Sequence, residues 1–142
     1  MLHILVVDDN EDDVILLRES FRDQPLVNLL NVVRDGEEAL AYLRREGEFF
    51  AAARPGLVLL DINMPRKNGF EVLCAMKSDP LLRGIPVVML TTSRREADVR
   101  QAYNDGACSF VTKPVNFDRL KLMAAHFVRY WSSVARIPQV EG

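Results

Sequence analysis

Five short apolar runs recur along the chain, and each stops at a polar or charged residue. They read HILVVDD (3–9), LVNLLNVV (26–33), LVLLD (57–61), IPVVMLTTS (85–93) and ACSFVTKP (107–114). Continuous rather than alternating apolar runs suit strands of a parallel sheet covered on both faces. Helical patterns lie between them. Val14, Leu17 and Phe21 share a face of the first. The second opens DGEEALAYL, with Asp35 as cap and Glu38 at the capping-box position. The third follows Gly69 and turns Phe70 and Leu73 inward. The fourth spans 94–104 and ends before Gly106. The last spans 116–133, with Phe117, Leu120, Ala124, Phe127 and Trp131 as its inward stripe.

Strand then helix, five times over, predicts an α/β fold. Right-handed crossovers and short connections favour a doubly wound, five-stranded parallel sheet of order 2-1-3-4-5, the flavodoxin-like arrangement. The 142 residues suit one domain. With 49 % hydrophobic residues, the chain can bury a core without metals or disulfides. The 18 basic and 20 acidic residues argue against nucleic acid, which requires a basic face. No apolar run approaches the roughly 20 residues of a membrane span. The start of the chain lacks the basic leader of a signal peptide, so a cytoplasmic location is expected. Cys74 and Cys108 lack a CxxC partner and read as buried structural thiols of a reducing compartment. His3 and His126 have no partners at metal-ligand spacing.

Ligands of such sheets sit at the carboxyl ends of the strands, beside the order switch between strands 1 and 3. There strand 1 ends on Asp8 and Asp9, strand 3 on Asp61, strand 4 on Thr91 and Thr92, and strand 5 on Lys113. Three carboxylates together repel: two unit charges about 4 Å apart cost roughly 4 kcal/mol at an effective dielectric of 20. A hard divalent cation with oxygen ligands offsets that, and Mg²⁺ is the natural candidate. Lys113 adds a fixed positive charge, and the Thr91 hydroxyl can bond phosphoryl oxygens. Phosphoryl transfer needs little beyond such positioning and neutralisation. Asp61 is the best nucleophile, giving an aspartyl phosphate. Glu11, Asp12 and Asp13 read as first-turn acids favoured by the helix dipole.

With these residues in place the chain resembles the receiver domain of two-component response regulators over nearly its whole length. The matching elements are ILVVDDNEDD, LVLLDINMPRKNGFEVL, IPVVMLTTS and SFVTKP. The resemblance implies that Asp61 is the phosphoacceptor and that Asp8, Asp9, Asp61 and the backbone carbonyl of Asn63 surround Mg²⁺. Asp9 would ligate directly and Asp8 through water. Thr91 would move to bond the phosphoryl group, Lys113 would contact it, and the Lys113–Pro114 bond would be cis. Phe110 takes the aromatic switch position, where many receivers carry tyrosine. Asn63 and Ser93 would flank the path of attacking water.

A closer likeness is to the stand-alone receivers that serve phytochrome-type sensor histidine kinases. It rests on RDGEEALAYLRREGEFF, RPGLVLLDINMP, LLRGIPVVMLTTS and the aromatic end FVRYW. The resemblance implies a signalling domain, not an enzyme acting on other substrates. The long connection 47–56 reads equally as a surface insertion without a role. The receiver is expected over 1–133, with 134–142 a tail too short for an output domain. The signal would then leave through protein contacts. Met123, Val128 and Tyr130 widen the apolar coverage of the last helix, which points to a homodimer.

Three other readings compete. A phosphohydrolase resembling the haloacid dehalogenase group requires a D-x-D pair near the start of the chain; here the text is DIN, in mid-chain. A flavin-binding flavodoxin requires a hydroxyl-rich and Gly-rich loop after strand 1, where this chain has DDNEDD. The third, a binding module of the same fold that is never phosphorylated, would have no use for the full acidic set.

Overall fold

The computed structural model describes residues 2–138. Strands β1 (Leu2–Val7), β2 (Val27–Val33), β3 (Leu57–Leu60), β4 (Val87–Thr91) and β5 (Ser109–Thr112) alternate with helices α1 (Glu11–Phe21), α2 (Gly36–Arg44), α3 (Gly69–Ser78), α4 (Glu96–Asn104) and α5 (Phe117–Arg129). All strand pairs are parallel and the order is 2-1-3-4-5, as the sequence predicts. The observed elements are shorter than the apolar runs. Strand pairing stops where the chain leaves for the rim, so Asp8, Asp61 and Lys113 fall just past the ladder.

Side-chain alternation along the strands divides the core in two. Leu5, Val7, Val58, Leu60, Val87 and Met89 face α2, α3 and α4. Ile4, Val6, Leu57, Leu59, Val88 and Leu90 face α1 and α5. Burying each such side chain contributes about 1.5–3 kcal/mol, which explains why both faces of β3 are wholly apolar.

Local signals set the helix starts. Asp35 accepts from the Glu38 N–H at 2.8 Å and caps α2. The reciprocal capping box lies on α3 instead: Asn68 accepts from the Glu71 N–H, and Glu71 accepts from the Asn68 N–H. The inward row of α5 departs from the expected stripe. Leu120, Ala124 and Val128 are buried, Phe127 and Trp131 are half-buried, and Phe117 is 38 % exposed. A 3.6-residue period does not distinguish Phe127 from Val128. Packing against α1 does, and it draws Val128 into the core. Past α5 the chain makes a wider turn over Tyr130–Val134, and Ile137 packs back onto the second cluster. Residues 139–142 of the expected tail lie outside the described residues.

The connection after α2 is not featureless. It contains a short 3₁₀ turn, Gly47–Phe49, and Phe49 packs on Tyr42 with ring centroids 5.3 Å apart. Both cysteines are exposed, against expectation. Cys74 lies on the face of α3 away from Val72, Leu73 and Met76. Cys108 precedes edge strand β5. His3 is held by the Arg54 carbonyl at 3.2 Å and by Asn31 at 3.1 Å, a structural role as expected.

Gly69 ties the fold to the rim. A Cβ there would lie 2.1 Å from the Asp61 carbonyl oxygen, and its own N–H donates to Ile62 O at 2.8 Å. Backbone rather than a flexible side chain stands in the way. Gly69→Ala is expected to cost about 3 kcal/mol through forced displacement. The check is urea unfolding, with a lower midpoint at unchanged slope.

Candidate functional site

Four of the five strand ends contribute to the site. Asp8 follows β1, and its N–H donates to Val33 O at 3.1 Å. Asp61 follows β3, and its N–H donates to Val7 O at 3.0 Å. Thr91 closes β4 opposite Thr112, and the Lys113 N–H donates to Thr91 O at 2.7 Å. The rim therefore inherits its geometry from the ladder.

Lys113 is the hub. Its Nζ lies 2.6 Å from Asp8 Oδ2, 2.9 Å from Asp13 Oδ2 and 3.4 Å from Asp61 Oδ2. Asp8, Asp61 and Lys113 are all buried. Sequence reasoning left Asp13 among the helix-dipole acids, yet it is a partner of the lysine. No spacing signal in the sequence marks it out, since Asp9 lies before the Asn10 cap and helical periodicity does not relate the two. Asn10 caps α1 by accepting from the Asp13 N–H at 3.0 Å, which sets that turn over the rim.

Carboxylate oxygens of Asp8, Asp9 and Asp61 all lie within 4.8 Å of one another. Four acids stand at this rim and three of them share one lysine, so the cluster keeps negative charge. Its donors are hard oxygens, and this set fits a divalent cation of the Mg²⁺, Mn²⁺ or Ca²⁺ type. The individual oxygens differ in readiness. Asp8 Oδ1 accepts from the Asn10 N–H at 2.9 Å and Oδ2 from Lys113, so both are engaged. Asp61 Oδ1 accepts from the Ile62 N–H at 2.8 Å, which orients the carboxylate. Asp9 is exposed, and its carboxylate has no partner among the described residues.

Burial raises the Asp8 carboxyl above its usual range, and the hydrogen bond from Lys113 only partly offsets it, since the lysine is divided among three acids. Burial pulls the Lys113 ammonium down, but its bonds to Asp8 and Asp13 and the Asp61 charge outweigh that. It is held above an ordinary lysine and stays charged at neutral pH.

Thr91 is fully buried at the same rim, and its Oγ1 accepts from the Ser93 N–H at 3.3 Å. Asn63 is exposed in the loop after β3. Phe110 is half-buried on β5 against the α2–α4 side of the core. The Lys113–Pro114 bond, expected cis, is trans: no peptide bond among the described residues is cis. Trans is the lower form of an X–Pro bond by about 0.5–1 kcal/mol, and Lys113 reaches its three acids with it.

A raised carboxyl has a definite consequence for stability. Below pH 3.8 Asp8 is protonated folded and unfolded, and it contributes no pH dependence. As pH rises past that value the unfolded chain releases the proton first, so the folded state loses stability. In chelator, Asp8→Asn is therefore expected to melt higher than the parent at pH 7, with the difference closing toward pH 3.8. Added divalent cation should reverse the order, because ion binding favours only the protein that keeps its site. Thermal melts with and without the ion check both signs.

The response regulator receiver domain family model matches residues 4–125. Response regulator Rcp1 from Synechocystis sp. is 38 % identical over 135 residues, covering 95 % of this chain and 92 % of that one. Among solved structures, the phosphorylated cyanobacterial phytochrome response regulator RcpA superposes with a TM-score of 0.92 at 41 % identity, covering 97 % of this chain and 99 % of that one. The Mn²⁺-bound form of Rcp1 superposes with a TM-score of 0.90 at 37 % identity, covering 98 % of this chain and all of the other. No helix among the described residues is long and apolar enough to cross a membrane. The haloacid dehalogenase and flavodoxin readings find no support in these likenesses. This chain belongs to the response regulator receiver domain family.

Proposed function

We propose that this protein accepts a phosphoryl group on Asp61 from a sensor histidine kinase of the phytochrome type. The observation that carries the reading is the Lys113 ammonium bonded to Asp8, Asp13 and Asp61 beside Asp9, which has no partner among the described residues. The likeness to the phytochrome response regulator RcpA supports the choice of kinase class.

In this reading an Asp61 carboxylate oxygen forms a bond to phosphorus while the bond from phosphorus to the donor breaks and the leaving group takes up a proton. The Ile62 N–H holds Asp61 Oδ1 at 2.8 Å, while Oδ2 has only the longer 3.4 Å bond from Lys113 and is the freer oxygen to attack. Lys113 neutralises the charge that builds on the transferred group. Thr91 donates its hydroxyl to a phosphoryl oxygen. Asp9, Asp61 and the Asn63 carbonyl would hold Mg²⁺, and Asp8, both of whose oxygens are engaged, would act on it through water. The ion supplies charge neutralisation for the phosphoryl oxygens. Asn63 and Ser93 border the path of water and set how long the acyl phosphate lasts. Residues 1–133 form the receiver, and the phosphoryl signal passes through Thr91 and Phe110 to protein partners.

One such partner is a second copy of this chain. Leu122 and Tyr130 on the last helix are 57 % and 51 % exposed, and Val134 beyond it is 66 % exposed. Leu122 and Tyr130 border an apolar groove of about 770 Å³ floored by Met123, Phe127 and Trp131. An apolar surface of this kind on a folded chain marks an interface.

Two measurements test the reading. Incubation with radiolabelled acetyl phosphate and Mg²⁺ should label the parent protein and leave Asp61→Asn unlabelled; equal labelling of both would overturn the assignment. In sedimentation, Leu122→Arg should lower the association of the chain by at least tenfold, since a buried unpaired charge is strongly disfavoured. A parent protein that sediments as a monomer throughout its concentration series removes the dimer.

A further inference from the structure

Helix α4 is weakly anchored by apolar packing: of its nine residues, Ala102 is the one that is buried. Polar ties at its two ends hold it instead. At the first end, Ser93 is bonded at every polar atom. Its N–H donates to Thr91 Oγ1 at 3.3 Å, and its hydroxyl donates to Asp98 Oδ2 at 2.6 Å. The same hydroxyl accepts from the Arg95 N–H at 3.3 Å, and the Ser93 carbonyl accepts from the Thr112 hydroxyl at 3.2 Å. Asp98, in the first turn of α4, thus grips the loop that carries the partner of Thr91. At the other end, the Tyr103 hydroxyl accepts from the Phe110 N–H at 3.2 Å. Strand β5 is an edge, so its outward N–H groups have no further strand to bond.

The same short helix therefore touches the residues beside both switch positions. Thr91 cannot carry its hydroxyl toward Asp61 and keep the Ser93 N–H unless the 92–95 loop follows. That loop follows only if Asp98 and Thr112 release it or move with it. A segment with few apolar contacts, held by a few directed bonds, is the kind that adopts two arrangements.

We infer that α4 is a yoke. Asp98, acting through Ser93, and Tyr103, acting through Phe110, are positioning residues that hold Thr91 and Phe110 in one joint resting arrangement and so restrain phosphorylation of Asp61. The inference rests on the phosphoacceptor reading above and assigns regulation of that site to two side chains outside it. The Tyr103 hydroxyl takes the Phe110 backbone N–H, so it fixes the stretch of strand that carries the Phe110 ring.

The test is the initial rate of labelling by acetyl phosphate with Mg²⁺. Asp61 gains the phosphorus–oxygen bond, the phosphorus–oxygen bond of the donor breaks, and acetate leaves. Asp98→Ala and Tyr103→Phe should each raise the rate about three- to tenfold, the effect of losing one restraining hydrogen bond on a two-state balance. The double variant should fall well short of the product of the two, because either substitution loosens the same helix. Asp98→Asn, which keeps an acceptor for the Ser93 hydroxyl, should stay near the parent rate. A merely structural role would not give that rescue. Parent-like rates in Asp98→Ala or Tyr103→Phe, multiplicative effects in the double variant, or an Asp98→Asn as fast as Asp98→Ala would each overturn the inference alone. A parent protein that takes no label overturns the phosphoacceptor reading and the inference with it.

Discussion

A buried ammonium set among three carboxylates organises this protein. Removing the lysine would cost about 3–5 kcal/mol, because buried carboxylates would be stranded without their cation, whereas losing one acid leaves the lysine two others. Lys113 comes from β5, Asp8 from β1, Asp61 from β3 and Asp13 from α1, so the pairing clamps four elements at one rim. The clamp is incomplete by design of its charges: four acids face one lysine. The surplus negative charge fits the rim to a divalent cation, and in the proposed function that cation would make it a place for phosphate.

The core around the rim serves that arrangement. Both faces of β3 are buried, which forces the chain to emerge abruptly at Asp61, and Gly69 then lets α3 approach the Asp61 carbonyl more closely than any side chain would allow. The rigid half of the molecule is the pair of apolar clusters under α1, α2, α3 and α5. The soft half is α4, held by hydrogen bonds to Ser93 and Phe110. A switch requires that contrast. In the proposed switch the rigid site would hold the chemistry, and the weakly held helix beside it would change place when one bond is made.

Much of this was legible in residue order. Continuous apolar runs marked the strands, and the polar residue at the end of each marked the rim, so Asp8, Asp9, Asp61, Thr91 and Lys113 were found together before any coordinates. Periodicity failed where two neighbours compete for one position: Phe127 and Val128 differ by one residue, and packing against α1 chose Val128. It failed again for Cys74 and Cys108, whose apolar neighbours in the chain point the other way in space. Asp13 was overlooked because a first-turn acid already had an adequate local reason to be there. The trans Lys113–Pro114 bond corrected an expectation carried by resemblance rather than by the residues.

The amino-acid sequence by itself determined the fold class, the strand order and which strand ends gather at one rim, because hydrophobic period and chain crossover rules act locally and leave marks in the text. Only the tertiary structure decided which acids share Lys113, which oxygens are already engaged and what holds α4. Those are side-chain pairings between residues up to 105 positions apart. Distance and direction in space select them, and no pattern along the chain records either.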